Sequence, residues 1–388
     1  MAQENFDLNP LIQESDARLY RRPVWVEVDL AAIRHNIRVA GEAVGDKALV
    51  MAVVKADGYG HGAVPVAGAA LEAGADWLGV ALTEEGVDLR ERGIVAPILI
   101  LSEPTTSAAS LVVERDLSAT VCSYEIIDAL NEEARRQGKM AQVHLKVDTG
   151  MNRIGVVADK ADAMVDRIRS LSNLQLEGIF THFAKADDLS SDLTDTQMDR
   201  FEEVCARLPA DVHPILHAAN SAAAYLNPRT RLDMVRIGIA LYGLHPSPAT
   251  VGKVDLRPAF SLKARPSLIK KVPAGEGVSY GHTRLVSKPT IVITIPVGYG
   301  DGYSRRFSNV GDVLIGERRT RIIGNVCMDQ FMVEAGSDEV FEEDEVVLIG
   351  AQGDERITAD ELAELLGTIN YEIVCMINKR VPRIYLNE

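Results

Sequence analysis

Short apolar runs alternate with amphipathic stretches from about residue 30 to residue 245, and this alternation constrains the fold more than any other feature. The runs are Ala48–Val54, Trp77–Ala81, Pro97–Leu101, Ala119–Cys122, Gln142–Val147, Leu176–Thr181, His213–Leu216 and Met234–Ile237. Between them lie Ala63–Ala73, Thr83–Arg92, Tyr124–Gln137, Lys160–Leu171 and Thr194–Leu208, whose apolar residues recur at helical spacing. Strand and helix in strict alternation call for parallel pairing through crossover helices. Roughly eight such strands over about 200 residues match the count of a closed (β/α)8 barrel. An open doubly wound sheet is the competing arrangement, but no GxGxxG fingerprint follows the early strands.

The texture changes after about residue 250. Pro246, Pro248 and Pro258 mark a linker, with Pro266 just beyond. The runs Pro266–Val272, Thr290–Val297, Asp312–Ile315, Arg321–Val326, Phe331–Glu334 and Val346–Ile349 are then separated by glycine turns instead of helices. That pattern predicts a mostly antiparallel β domain. The expected division is residues 1–250 for the barrel and 251–388 for the β domain. Thr358, followed three residues later by Glu361, forms a capping box for a helix to Leu366. Val24–Asp29 alternates as a strand and could pair with either domain.

At 388 residues the chain exceeds what one core usually fills, which agrees with two domains. A formal net charge of −15 argues against nucleic-acid binding, which needs a basic face. Cys122, Cys205, Cys327 and Cys375 are scattered and form no CxxC pair, so reduced thiols are expected, with neither a disulfide framework nor a metal site. Residues 1–22 lack an apolar signal core, and no apolar run reaches transmembrane length. A cytoplasmic protein without membrane association is the expectation.

In a (β/α)8 barrel, functional residues gather at the carboxyl ends of the strands. Lys55 follows the first run, in Ala-Val-Val-Lys-Ala-Asp-Gly-Tyr-Gly. A lysine at the mouth of a buried strand can stay partly neutral, and neutral lysine captures carbonyl compounds such as pyridoxal phosphate. The plain reading is a solvated lysine that ends a strand. Lys146, Asp148 and Arg153 sit at or past the fifth run; Lys146 and Asp148 could be a simple ion pair. His182 follows the sixth run and, alone, reads as well as a satisfied core histidine. His217, Asn220 and Ser221 follow the seventh, where Asn-Ser suits a helix cap. Arg236 lies inside the eighth apolar run, where a charge is costly unless paired, so it needs a buried partner. Gly238 lets backbone approach a ligand closely.

Taken in order, the motifs AVVKADGYGHG, LKVDTGMNRIG, THFAKAD, HAANSAA, VRIGIALYG, GVSYGHT, VGYGDGYSRR, GNVCMDQ, INYE and KRVPRIY closely resemble those of the alanine racemase family. The resemblance runs from Val24 to Tyr385. It implies a pyridoxal 5'-phosphate enzyme that interconverts L- and D-alanine and supplies D-alanine for a bacterial cell wall. Lys55 would hold the cofactor and act as one acid/base, with Tyr280 as the base on the opposite face. Inverting a carbon needs a proton taken from one face and returned to the other, so two bases are required.

By the same resemblance Arg236 faces the pyridine nitrogen, with His217 behind it. Arginine scarcely gives up its proton, so that nitrogen would stay unprotonated and the ring would be a weaker electron sink. Tyr59, Ser221, Gly238, Ile239 and Tyr371 would form the phosphate site, and His182 would belong to the cofactor pocket. Arg153 and Met328 would hold the substrate carboxylate. Lys146 matches a position that can carry a carbamate, and Tyr299 and Arg305 stand near the entrance. Tyr280, Tyr299, Arg305 and Met328 would reach the cofactor of the other subunit, which implies a homodimer with shared sites. Asn325 departs from the arginine that family members often carry there.

Three other readings compete. A serine or broad-specificity racemase would use the same machinery with a larger pocket. A non-enzymatic pyridoxal-phosphate carrier would resemble the barrel alone, and GVSYGHT and VCMDQ count against it. A decarboxylase would want an acid where Arg236 stands.

Overall fold

The structure, a computed structural model, describes residues 22–45, 47–336 and 340–388. It divides into two compact units. One comprises Ala32–Tyr59 and Val66–Pro258; the other comprises the described residues up to Ala31, Gly60–Pro65 and Ala259–Glu388.

The first unit is a closed parallel barrel. Its strands are Leu49–Val53, Trp77–Val80, Ile98–Ile100, Ser118–Val121, Ala141–Asp148, Leu174–Phe180, Ile215–His217 and Met234–Ile237. Closure comes from the eighth strand, which returns to the first with Met234 opposite Leu49 and Ile237 opposite Ala52. An open sheet would leave those two strands as edges. The second, third and fourth strands are buried along their whole length, because barrel strands are covered on both faces. The seventh strand begins at Ile215, later than the apolar run suggested. Pro214 has no N–H to give to a ladder, so pairing starts after it.

The helices turn one face to the strands. Tyr124–Gln137 buries Ile126, Ile127, Leu130 and Ala134 at helical spacing. It stops at Gly138, whose φ of 66° suits a residue without Cβ. A six-residue helix, Ala109–Glu114, lies between the third and fourth strands and is too short to show a period in the sequence.

In the second unit the strand order is Leu268–Val272, Thr290–Ile295, Phe331–Gly336, Arg318–Ile323, Asp312–Ile315, Val346–Gln352, Phe260–Ala264, Val24–Asp29 and Arg383–Leu386. All neighbours along it are antiparallel except the last pair. Val24–Asp29, which the sequence left unassigned, pairs here with Phe260–Ala264 and with Arg383–Leu386. The helix Ala359–Leu366 keeps half of its capping box. Thr358 Oγ1 accepts the Glu361 N–H at 3.0 Å, but the Glu361 carboxylate takes two hydrogen bonds from Arg319 instead of turning back to the cap.

Candidate active site

The first barrel strand ends at Val53, and the chain then turns the wrong way for L-residues. Ala56, Asp57, Gly58 and Tyr59 have φ of 53°, 53°, 61° and 52°. Left-handed backbone costs roughly 1–2 kcal/mol for each residue other than glycine, so this turn must be held. Glu85 is one clamp: Oε1 accepts the Ala56 N–H at 2.6 Å, and Oε2 accepts the N–H groups of Ala81 and Leu82 at 2.7 and 3.1 Å. The Gly58 N–H donates to the Val54 carbonyl at 2.9 Å. The result sets Lys55 at the strand end and packs the Tyr59 ring against Tyr242, with centroids 4.8 Å apart. Tyr242 is fixed in turn by donating its hydroxyl to the Val53 carbonyl at 3.0 Å.

The Tyr59 hydroxyl lies where a side chain on residue 238 would begin. A Cβ on Gly238 would stand 2.9 Å from Tyr59 Oη and 3.8 Å from Ser221 Oγ. Glycine at 238 keeps that space clear. Ser221 Oγ accepts the Gly238 N–H at 2.8 Å, and a hydroxyl still has its proton to donate after accepting. The cap expected at Asn220–Ser221 falls to Asn220, whose Oδ1 accepts the Ala223 N–H at 3.0 Å. Ser221 is thereby committed to residue 238. Ile239 begins a short 3-10 helix directly beyond.

Arg236 is buried, and its partners are not carboxylates. It donates to the carbonyls of Thr181 and Ala218 at 2.8 and 2.9 Å. His217 Nδ1 and His182 Nδ1 lie 3.0 and 3.1 Å from its nitrogens. Its guanidinium also faces the Phe180 ring at 5.3 Å. Burial lowers its pKa to about 9, which leaves it a cation at neutral pH. Burial, and then Arg236, push both histidines well below their usual range, so each is neutral and can accept from the arginine. The buried partner that the sequence demanded is thus a set of neutral acceptors, which hold the charge without cancelling it.

Lys146 points into the barrel from the fifth strand with Nζ 5.2 Å from the Phe180 ring centre. It does not pair with Asp148, whose Oδ1 accepts the N–H groups of Gly150 and Asn152 at 2.9 and 3.1 Å and so shapes the loop. Burial, then Arg236 and Arg153, lower Lys146 to about 8. Arg153 is exposed on the same loop. Among the described residues, Lys146, Arg153 and Arg236 have no carboxylate within ion-pair distance. Together these three side chains make a cationic barrel mouth with no carboxylate paired to any of them.

The remaining predicted residues lie in the second unit, where four loops gather them. The Tyr299 N–H donates to the Cys327 carbonyl at 3.0 Å, and the Gly300 N–H to the Met328 carbonyl at 2.8 Å. The Arg305 carbonyl accepts from Ser308 Oγ, which in turn accepts the Val326 N–H at 2.9 Å. Asn325 Nδ2 donates to the Tyr280 carbonyl at 2.6 Å, and Ser279, at φ 65°, donates its hydroxyl to the Asn325 carbonyl at 2.6 Å. The asparagine that departs from the family pattern therefore ties down the Tyr280 turn. Tyr280, Met328 and Tyr299 are 73%, 54% and 43% exposed, unusual for side chains of this kind. Tyr371 is half-buried in the helix Asn370–Met376, whose end packs against Gly302.

Sequence reasoning missed several members of this constellation. Glu85, Tyr242, His144 and Phe180 each hold a predicted residue in place. Only His144 left a cue, two positions before Lys146 and so on the same face of the strand.

A closed barrel with a cationic, hydroxyl-lined mouth, continued in the same chain by an antiparallel β unit with exposed tyrosine loops, defines the barrel-plus-β-domain class. Residues 28–246 match the alanine racemase N-terminal domain, and residues 259–385 the alanine racemase C-terminal domain. The chain belongs to the alanine racemase family. It is 50% identical to the alanine racemase of Symbiobacterium thermophilum over 370 residues, covering 95% of this chain and 98% of that one. Among solved structures it is similar to alanine racemase from Bacillus anthracis with bound L-Ala-P, with a TM-score of 0.90 at 40% identity, covering 95% and 96% of the two chains. It is also similar to a histidine racemase from Leuconostoc mesenteroides, with a TM-score of 0.88 at 32% identity, covering 95% and 99%.

Proposed function

We propose that this chain is an alanine racemase that interconverts L- and D-alanine with pyridoxal 5'-phosphate. The observation that carries the reading is the barrel mouth: Lys55 at a strand end, beside a buried, charged Arg236 with no carboxylate partner. The residues present fit the cofactor. The space that a Cβ on Gly238 would fill is bordered by two hydroxyls, Tyr59 and Ser221, donors suited to a phosphate. Ile239 completes the barrel's share of that site in this reading. Arg236 is a donor of fixed charge, suited to an unprotonated ring nitrogen. When bound, pyridoxal phosphate supplies an electron-withdrawing ring that acidifies the α-hydrogen of an amino acid joined to it.

The chain's own residues then divide the work. Lys55 holds the cofactor and moves a proton on one face of the α-carbon. Tyr280, supplied by the partner subunit of a homodimer, moves a proton on the other. Arg153, with the backbone N–H of Met328 of the partner subunit, holds the substrate carboxylate, while His182 and His217 brace Arg236. A carbamate on Lys146 would give the cationic mouth an internal anion to orient Arg153. The lowered pKa of Lys146 favours the neutral amine that such a modification needs. Exposure of Tyr280, Tyr299 and Met328 supports a dimer in which these side chains are covered. Tyr299 and Arg305 would then line the entrance. Product D-alanine would serve peptidoglycan synthesis in the cytoplasm; no helix among the described residues is long and apolar enough to cross a membrane.

The structural likeness to a histidine racemase supports a second reading, a broader amino-acid racemase. One assay tests both. Purified protein with pyridoxal phosphate is given L-alanine, D-alanine, L-serine and L-histidine, and the opposite enantiomer is measured. Racemisation of alanine at the highest kcat/KM supports the first reading. A preference for another amino acid supports the second, and no racemisation of any substrate refutes both.

A further inference from the structure

Behind Arg236 a chain of polar side chains crosses the barrel interior and ends on a carboxylate. His217 Nδ1 meets Arg236 at 3.0 Å, and His217 Nε2 meets His144 Nδ1 at 2.9 Å. His144 Nε2 meets Glu177 Oε2 at 3.2 Å, and the Ser118 hydroxyl donates to the same oxygen at 2.6 Å. The two imidazoles are fully buried, while Glu177 keeps 22% of its side chain exposed.

The histidine seats are built for these rings. Phe180 stacks on His217 with centroids 4.6 Å apart and planes 7° from parallel. Trp77 meets His144 edge-on at 5.4 Å. A Cβ on Gly178 would stand 2.2 Å from His144 Nδ1, so only glycine admits the ring there.

Direction along the chain follows from its far end. An ionised carboxylate has only lone pairs to offer, so His144 must carry its proton on Nε2. Burial favours neutral rings, and a neutral His144 then has a lone pair on Nδ1. His217 must donate to that lone pair from Nε2, which leaves its own lone pair on Nδ1, facing an arginine N–H. Each proton is placed by the group before it, and the first group is Glu177. Without that acceptor, His144 can move its proton to Nδ1 and reverse the chain. His217 would then present an N–H to the N–H of Arg236.

We propose that Glu177 is a positioning residue for the racemase reaction: acting through His144 and His217, it aims a lone pair at Arg236 and so holds the guanidinium at the barrel mouth. The role rests on the reading of Arg236 as the group that faces the cofactor ring.

The test has two arms. In the first, the imidazole nitrogens of 15N-histidine-labelled protein are read by NMR without substrate. His144 and His217 should both carry hydrogen on Nε2. A wild-type His217 with hydrogen on Nδ1 overturns the relay, whatever any variant does. In the second arm, Glu177→Leu removes the acceptor, while Glu177→Gln keeps an amide oxygen for His144 and Ser118. Glu177→Leu should move the His217 proton to Nδ1 and lower kcat roughly tenfold or more with little change in KM. Glu177→Gln should keep the wild-type tautomers and stay within about threefold of wild-type kcat. Wild-type kcat in Glu177→Leu, or equal loss in both variants, overturns the positioning role. An inactive wild-type protein with the expected tautomers would refute the racemase reading and the positioning role together, leaving the relay itself standing.

Discussion

Gly238→Ala should weaken pyridoxal phosphate binding while leaving the barrel intact. The added methyl would stand 2.9 Å from Tyr59 Oη, too close for a carbon and an oxygen that do not bond. The hydroxyl has little room to yield, because the Tyr59 ring packs on Tyr242 at 4.8 Å and its backbone is locked at φ 52°. The damage falls on the space that the two hydroxyls border. A hydrogen bond to a charged group is worth about 1.5–3 kcal/mol, so losing one to the phosphate should raise Kd by about 10- to 150-fold. Titration of apoprotein with pyridoxal phosphate, followed by absorbance, gives the Kd, and the apoprotein Tm controls for folding. A Kd within twofold of wild type at unchanged Tm would refute the placement of the phosphate beside Gly238.

Three further outcomes are expected. Tyr280→Phe should slow proton abstraction from L-alanine more than from D-alanine; single-turnover deuterium exchange from each enantiomer reads this, and equal loss for both contradicts the assigned faces. Lys55→Ala and Tyr280→Ala proteins, mixed with subunit exchange verified by mass, should recover about a quarter of wild-type activity, because half of the dimers regain one intact site; recovery no higher than the parents would place both residues of a site in one chain. Acid should destabilise the fold through His144 and His217, which burial keeps neutral below their ordinary pKa of 6.5. Unfolding frees both to take up protons below that pH, so the unfolded state gains and stability falls as pH drops through 6.5, by about 1.4 kcal/mol per pH unit for each histidine. Urea midpoints at about pH 7.5 and about pH 5.5 check the sign, and an equal or higher midpoint in acid would contradict it.

The barrel was legible because its strands are covered on both faces and so read as unbroken apolar runs. Closure was readable only as a count of eight, since no residue announces that Met234 will pair with Leu49. Val24–Asp29 had the right alternation, but its partners lie at the far end of the chain, and alternation carries no address. The left-handed turn after Lys55 was hidden because Ala56, Asp57 and Tyr59 show no common preference for it; its clamp, Glu85, comes from the helix Thr83–Glu91, beyond the second strand. Arg236 was conspicuous as a charge in an apolar run. His217 could be named as one partner by resemblance, but the carbonyls of Thr181 and Ala218 could not, because they belong to the backbone and could come from any residue type. Asn325 stood out only as a departure from a motif, and its hydrogen bond to the Tyr280 carbonyl depends on how two loops meet.

The central claim is that the barrel mouth holds its cofactor on Lys55. Borohydride reduction of the pyridoxal-phosphate-loaded protein, followed by proteolysis and mass mapping, tests it directly. The account predicts one stable adduct per chain, on the peptide that carries Lys55. An adduct on Lys146 or on any other lysine, with Lys55 unmodified, would contradict it.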